Sequence, residues 1–331
     1  MTKSVMQAAL LEAANAPFRI TEIARPTPGP GEVLVRIKAS GVNPLDTKIR
    51  AGAAPHARQP LPAVLGIDLA GTVEALGEGV SDFVPGDDVY GMAGGVGGHQ
   101  GTLAQYAAVD ARLLARLPKG FTMREAAALP LVFTTAWEGL VDRARVSDGQ
   151  KVLIHGGAGG VGHVAVQIAK AFGADVCATG NADQFETIRR LGAVPIDYRN
   201  TIVDEYVREH TGANGFDIVF DTVGGANLDK SFEAIGRFGH VVSALGWGTH
   251  ALAPLSFKAG TYSGVFTLLP VQTGEGREHH GEIMREATRL AESGLLQPMI
   301  DQRLFDLDSV GEAHDLVASG RAHGKVVVEV A

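Results

Sequence analysis

Apolar and charged residues alternate along residues 33–39, VLVRIKA, which is the period of a strand with one wet face. Residues 7–11, 19–23, 66–76 and 88–90 share that texture. Turn residues such as Pro26, Pro28, Gly29, Pro30 and Gly31 separate the runs. Roughly the first 120 residues therefore predict a compact β-rich domain. A glycine cluster at residues 94–101 leads into another strand-like run at 102–109, so it predicts a loop and not a phosphate turn. Near Thr122 the period changes. Residues 124–140 have helical spacing broken at Pro130, and from Lys151 short β-branched runs alternate with amphipathic stretches. Later strands are predicted at 194–197, 217–220, 240–245 and 264–267. That alternation predicts a doubly wound parallel sheet with helices on both faces. Near the end, residues 309–319 predict a helix capped by Asp308 and stopped at Gly320, and 325–330 a closing strand.

The most informative stretch is KVLIHGGAGGVGHVAVQIAKAF, residues 151–172. Val152, Leu153 and Ile154 form a strand. A turn of Gly156, Gly157, Ala158, Gly159, Gly160, Val161 and Gly162 follows. Val161, Val164, Ala165, Ile168, Ala169 and Phe172 then mark one apolar helix face. Gly157, Gly159 and Gly162 satisfy G-x-G-x-x-G. With 43 glycines in 331 residues the pattern alone is weak, but a strand before it and a helix after it make it specific. Side chains there would hold the backbone away from a pyrophosphate, whose charge suits the N–H groups at the helix start. The plain alternative is a tight turn without a ligand.

Composition narrows the class. The length suggests two domains. A net charge of −8 with no basic run argues against a nucleic-acid surface. Cys177 is the single cysteine, so no internal disulfide forms. No stretch has the length and apolarity of a membrane span, and no signal-peptide pattern stands at the start, so cytoplasm is the expected compartment.

Seven phrases, in order and over nearly the whole length, carry a resemblance to a known family. They are PGPGEVLVRIKASGVNPLD (28–46), GIDLAGTV (66–73), VPGDDVYG (84–91), LPLVFTTAWEGL (129–140), VLIHGGAGGVGHVAVQIAKAFGA (152–174), FDIVFDTVGG (216–225) and GKVVVEV (324–330). The chain resembles the medium-chain dehydrogenase/reductases, and within them the zinc-independent quinone oxidoreductase (zeta-crystallin-like) branch. The resemblance implies an α/β protein with a GroES-like β-rich catalytic domain (1–123 and 268–331) and a Rossmann domain (124–267). It also implies a nicotinamide cleft between them, and a homodimer. It places cofactor contacts at Gly157–Gly162 (Ala158, Gly159, Gly160 and Val161 included), Thr222, Val223, Leu245, Gly246, Phe266 and Lys325.

The zinc-binding relatives have a Cys where this chain has Asn43, a Gly-His-Glu at Gly66–Ile67–Asp68 and a third ligand near Leu131; the structural zinc of those relatives takes four cysteines. Those donor types are missing here, so no metal is expected. No acid stands at the end of the second Rossmann strand, Thr179–Gly180–Asn181, where NAD-preferring folds place one for the ribose hydroxyls. Tyr198 matches the branch's phosphate-contacting tyrosine, while its lysine partner is absent. Asn181 is the substitute donor and Arg199 a further one. NADPH is therefore expected over NADH; the alternative for Tyr198 is a half-buried aromatic at a strand end.

Without a metal to stabilise an alkoxide, reduction of a quinone or an electron-poor C=C suits the site better than oxidation of a simple alcohol. Negative charge then develops on a carbonyl oxygen and needs a hydrogen-bond donor. Asn43 is the candidate, with Lys48 as a charged alternative and Thr135 beside the nicotinamide. The alternative for Asn43 is a turn residue before Pro44 satisfied by backbone. Two departures from the branch stand out: Gly52–Ala53–Ala54 lacks its tyrosine, and Leu268 and Leu269 stand in place of an arginine. The expectation is an NADPH-dependent reductase of quinones or α,β-unsaturated carbonyls. The competing one is a dinucleotide-binding, crystallin-like or regulatory protein with little turnover.

Overall fold

The computed structural model describes residues 5–330. The chain divides into two units. The first runs up to Leu131 and adds Leu268–Ser293 and the chain from Pro298 onward; the second is Val132–Thr267 with Gly294–Gln297.

The first unit opens with β1 (Val5–Leu11), β2 (Phe18–Ala24) and β3 (Glu32–Val42). Helix α1 (Pro44–Arg50), β4 (Ala63–Val64), β5 (Asp68–Leu76), β6 (Asp88–Met92), β7 (Tyr106–Asp110), β8 (Leu114–Arg116) and α2 (Met123–Ala127) follow. β1 lies between β2 and β4 in a small antiparallel sheet. β3 is the hub of a larger sheet, antiparallel to both β5 and β7. Its alternating residues put Val33, Val35 and Ile37 in the core and leave Arg36 exposed. The glycine run at 94–101 precedes β7, which begins only at Tyr106, later than the apolar texture from 102 suggests. Thr102 and Leu103 are instead bonded to Gly66 and Leu65 in a loop crossing.

Helical spacing over 124–140 resolves into α2, α3 (Pro130–Trp137) and a wider π-type segment, Glu138–Arg143. Pro130 opens α3, where its missing N–H has no consequence. α2 packs on β3 and β5, which is why the first unit reaches Leu131.

The second unit carries β9 (Lys151–His155), α4 (Gly162–Ala171), β10 (Asp175–Gly180), α5 (Phe185–Arg190) and β11 (Val194–Asp197). It continues with α6 (Val203–Thr211), β12 (Phe216–Asp221), α7 (Ala226–Ala234), β13 (Ile235–Ser243), α8 (Ala253–Ser256) and β14 (Thr261–Gly264). All six strands are parallel, in the order β11-β10-β9-β12-β13-β14. That is the doubly wound order 3-2-1-4-5-6, and its direction reverses between β9 and β12. Leu153, Val219, Phe216, Phe232 and Val241 share one buried cluster beneath it. β14 lies at 261–264, not at 264–267. As an edge strand with mostly exposed side chains it has no apolar alternation to announce it.

The chain then returns to the first unit through α9 (Leu269–Thr273), α10 (Arg277–Glu292), β15 (Phe305–Asp306), α11 (Val310–Ala318) and β16 (Val326–Glu329). β16 pairs antiparallel with β3. Asp308 does not cap α11. Asp306 and Ser309 bond each other reciprocally at its start, with Ser309 N donating to Asp306 Oδ1 at 3.0 Å. Among the described residues no helix is long and apolar enough to cross a membrane.

Candidate functional site

In the second unit four strand ends stand level. His155 is in register with Asp221, Asp221 with Ser243, and Ser243 with Gly264. In an open parallel sheet this carboxyl edge, at the reversal of strand order, is where ligands bind. The glycine turn leaves it from β9. Gly156 has φ +72°, a backbone that favours glycine, and its N–H donates to Thr179 Oγ1. A Cβ on Gly157 would stand 2.4 Å from the Cβ of Ala178, and one on Gly162 would stand 2.0 Å from the Gly156 carbonyl oxygen. Those two glycines therefore close the turn against the sheet and the helix. Gly159 differs: a Cβ there meets only the Gly156 oxygen, at 3.1 Å, and Gly159 and Gly160 are exposed. The open face lies at the glycine turn leading into α4; His163 N and Ala165 N of its first turn already donate to Gly159 O and Val161 O, and the positive end of the helix faces the turn. A phosphate-bearing dinucleotide fits this cradle.

The rest of the edge is held by a buried carboxylate. Asp221 accepts the N–H groups of Val223 and Gly224, the Asn227 amide at 2.8 Å and the Ser243 hydroxyl at 2.8 Å. Ser243 Oγ in turn accepts Leu245 N. Thr222 Oγ1 donates to His155 O at 2.6 Å, tying the turn after β12 to the one after β9. Thr222, Val223, Leu245, Gly246 and Phe266 all follow carboxyl ends of these strands. His155 is buried, and burial pushes its imidazole down to about 4, so it is neutral at physiological pH.

Beyond β10, Asn181 and Gln184 bond reciprocally, Gln184 N to Asn181 Oδ1 at 3.2 Å and Asn181 N to Gln184 Oε1 at 3.0 Å. Asn181 thus spends its oxygen on the backbone and keeps its amide hydrogens for a ligand. Tyr198 is 48% exposed just past β11, and the exposed Arg199 reaches its hydroxyl at 3.4 Å. Thr135 lies in α3, 7% exposed.

In the first unit the chemistry collects under β3. Asn43, Asp46, Asp68 and Lys325 are all buried. Asn43 Nδ2 donates to Asp68 Oδ2 at 2.9 Å, and the Lys325 ammonium donates to Asn43 Oδ1 and lies 3.8 Å from Asp68 Oδ2. Asp68 Oδ1 accepts Leu131 N at 2.9 Å, and Asp46 Oδ2 accepts Asn43 N at 2.8 Å. Burial raises the carboxyls: Asp46 to about 7 and Asp68 also upward, with Lys325 attraction opposing the rise at Asp68. Burial lowers the Lys325 ammonium, against the pull of Asp68 and Asp46.

Two expectations change here. Asn43 is not an open donor, because both ends of its amide are engaged inside the unit. Lys325 has its ammonium turned inward to Asn43, Val42 O and Asp68, so the cofactor contact expected of it is not served in this arrangement. Lys48 is exposed on α1. Sequence reading missed Asp46, Asp68 as a hydrogen-bonding partner, and Asp221. The pattern Asn43-Pro44-Leu45-Asp46, an acid three residues after a cap, is the one local signal that pointed to any of them.

A zinc ion does not fit this cluster. Both oxygens of Asp68 are engaged, and a buried ammonium already stands beside one of them. Among the described residues no group of three His, Cys, Asp or Glu side chains is placed to hold a metal.

Two family models match: an alcohol dehydrogenase GroES-like domain over residues 29–119 and a zinc-binding dehydrogenase domain over residues 191–328. The chain is 35% identical over 305 residues to a chloroplastic NADPH-dependent alkenal/one oxidoreductase of Arabidopsis thaliana, covering 90% of this chain and 72% of that protein. The chain belongs to the medium-chain dehydrogenase/reductase family. It is 31% identical to the quinone oxidoreductase of Homo sapiens, over 93% of this chain and 92% of that one. A solved alcohol dehydrogenase superfamily protein from Novosphingobium aromaticivorans superposes with TM-score 0.97 at 59% identity, covering 98% of this chain and all of that chain. The first match lies within the β-rich unit, while the second runs from β11 of the parallel sheet across into the returning segment of the first unit.

Proposed function

We propose that this protein is an NADPH-dependent reductase of quinones or α,β-unsaturated carbonyl compounds, acting without zinc. The observation that carries it is the carboxyl edge of the six-stranded sheet, where Gly159 leaves a phosphate cradle open and β10 ends in Thr179 and Gly180, followed by Asn181, without an acid, Asp183 lying three residues past its end. The names of the Arabidopsis and human relatives support the substrate class. NADPH, when bound, supplies a hydride. For an enone the hydride adds to the β-carbon and a proton from solvent to the α-carbon, so that C=C becomes a single bond. For a quinone, hydride and proton together give the hydroquinone.

The chain's own groups bind and orient. Gly159, Gly160 and the start of α4 take the pyrophosphate. Asn181, Tyr198 and Arg199 take the 2′-phosphate. Thr222, Val223, Leu245, Gly246 and Phe266 form the wall beyond it. Thr135 and Lys48 are the donors left for the carboxamide and the substrate oxygen, since Asn43 is engaged inside the first unit. A homodimer belongs to this reading, supported by β14, an edge strand of mostly exposed residues. So does the cytoplasm, supported by the single, buried cysteine.

The test is NADPH absorbance loss against a panel of quinones and enones. Turnover of either class is expected. Tight NADPH binding with no turnover of any acceptor refutes the reductase reading and leaves a dinucleotide-binding protein.

A further inference from the structure

Beside α1 the first unit holds a pocket of about 500 Å³. Ile49 of α1, Ala54, Pro55, Pro60 and Leu61 give it an apolar lining, and Arg58 is its only charged residue. Ala54 contributes no more than a methyl group, which keeps the space open. The wall is fixed by bonds from several sides. Ala53 N donates to Lys48 O at 2.8 Å, so the segment turns back directly from the helix. Residues Pro55–Ala57 form one 3-10 turn, which Arg58 N closes on Pro55 O at 3.1 Å. Gly97 N donates to Ala57 O at 2.9 Å, and Gln272 Nε2 to His56 O at 2.7 Å. Gln59 accepts Gly98 N at 3.0 Å and donates to His99 O at 3.2 Å. Arg58 therefore stands on an ordered backbone, at φ +49°, with its side chain exposed.

Its guanidinium is what the fold leaves unspent. Arg50, Arg112, Arg116, Arg277 and Arg303 of the same unit each hold an aspartate at 2.6 to 2.9 Å. Arg58 holds no carboxylate among the described residues, and no acid lines its pocket. An arginine head over an apolar wall suits a carboxylate, because the stem covers the wall while two parallel N–H groups face the anion. The chain as a whole carries −8, so an anionic substrate needs such a local cation to be held. Lys48, the donor assigned above to the substrate oxygen, is the residue before Ile49.

We propose that this pocket is a substrate subsite in which Arg58 pairs with a carboxylate, so that the protein prefers acceptors carrying a carboxylate on an apolar arm over their neutral counterparts. This rests on the reductase reading above and names the substrate class of that site.

8-Oxodec-9-enoate, a vinyl ketone with a carboxylate at the end of an alkyl arm, and its methyl ester serve as probes, with R58Q, R58K and R58G as variants. Hydride from NADPH adds to the terminal carbon and a solvent proton to its neighbour, which gives 8-oxodecanoate and NADP+. The side chain is exposed and glycine suits a left-handed backbone, so the variants are expected to fold. The ratio of kcat/KM for the acid to that for the ester should fall about tenfold in R58Q and R58G, through KM, and stay within about threefold of wild type in R58K. Raising the salt should lower the ratio in wild type and leave it flat in R58Q. In parallel, calorimetric titration of the NADP+-loaded protein with 8-oxodecanoate should give a Kd about tenfold weaker in R58Q than in wild type.

Turnover with an unmoved ratio overturns the subsite and leaves the reductase reading intact. Equal losses for acid and ester assign Arg58 to the fold or to the cofactor and also overturn it. No turnover, but binding of 8-oxodecanoate that weakens in R58Q, sinks the reductase reading while the carboxylate site stands. Neither turnover nor such binding overturns both.

Discussion

Asn181 is the residue through which cofactor choice can be reversed without disturbing the fold. Gly180 is the more obvious place for an acid, but a Cβ there would stand 2.6 Å from Ile188 Cδ1 and 3.2 Å from Gln184 Oε1. Gly180→Asp would therefore displace the Ile188 side chain as well as add charge. Asn181→Asp keeps the oxygen that accepts Gln184 N and replaces only the amide nitrogen. The change removes a donor and puts a full negative charge where the 2′-phosphate of NADPH is proposed to lie. Like charges ~4–5 Å apart oppose each other by roughly 3–4 kcal/mol at an effective dielectric near 20, and by about 1 kcal/mol in bulk water. Asn181 is half-buried, which places it between those limits, and Arg199, proposed to meet the same phosphate, would offset part of the repulsion. The Kd ratio for NADH over NADPH should fall about tenfold to a hundredfold. The new carboxylate also accepts ribose hydroxyls, so NADH should bind at least as tightly as to wild type. Nicotinamide fluorescence titrations of both cofactors on both proteins, at one ionic strength, measure the ratio. Raising the salt should shrink the effect. If wild type already prefers NADH, or the ratio stays put, the phosphate does not lie beside Asn181 and the NADPH assignment loses its structural basis.

Gly159→Val should abolish dinucleotide binding while thermal unfolding stays near wild type, since only the Gly156 oxygen opposes a Cβ there. Gly162→Val, which meets that oxygen at 2.0 Å, should lower the melting temperature as well; equal stability of the two variants would contradict this division of labour. Lys325→Met removes the cation from a buried cluster with two carboxyls and should cost about 3–5 kcal/mol in denaturant unfolding. Adding Asp68→Asn should recover part of that loss, and strictly additive losses would show that the two do not interact. His314 is buried against Phe18, and burial pushes its imidazole down to about 3. A depressed folded value means the unfolded chain binds the proton more readily, so the His314 contribution is present above about 6.5 and lost as pH falls toward 3. His314→Phe should therefore flatten the fall of stability with acid over that window relative to wild type. Parallel pH profiles of the two proteins would rule the account out.

How far these sites were legible follows from how far apart their parts lie in sequence. The glycine turn is local: strand, turn and helix occupy consecutive residues, and steric demands at Gly157 and Gly162 fix their spacing. The alternation after Lys151 likewise announced a parallel sheet, because fully buried strands are continuously apolar. β14 escaped because an edge strand with exposed side chains has no burial pattern to betray it. The Asn43 cluster was illegible for a different reason. Asn43 meets Asp68 across 25 residues and Lys325 across 282, and nothing local in any of the three says that they pair. Asn43 looked like a free donor because its partners come from β5 and the segment entering β16.

The pairing of β16 with β3 has a consequence for the order in which the molecule matures on the ribosome. The second unit is nearly continuous in sequence, so its sheet can close while later residues are still being made. The first unit cannot finish in that way. β3, β5 and α1 emerge early and bring Asn43, Asp46 and Asp68 together, yet the ammonium that offsets them arrives only with Lys325. Until then the nascent interior holds carboxyls with no cation, and they stay solvated or protonated instead of sealed. Lys325 therefore acts as a late latch: a chain stopped after α11 would carry every strand of the catalytic sheet except the one whose neighbouring charge allows it to close.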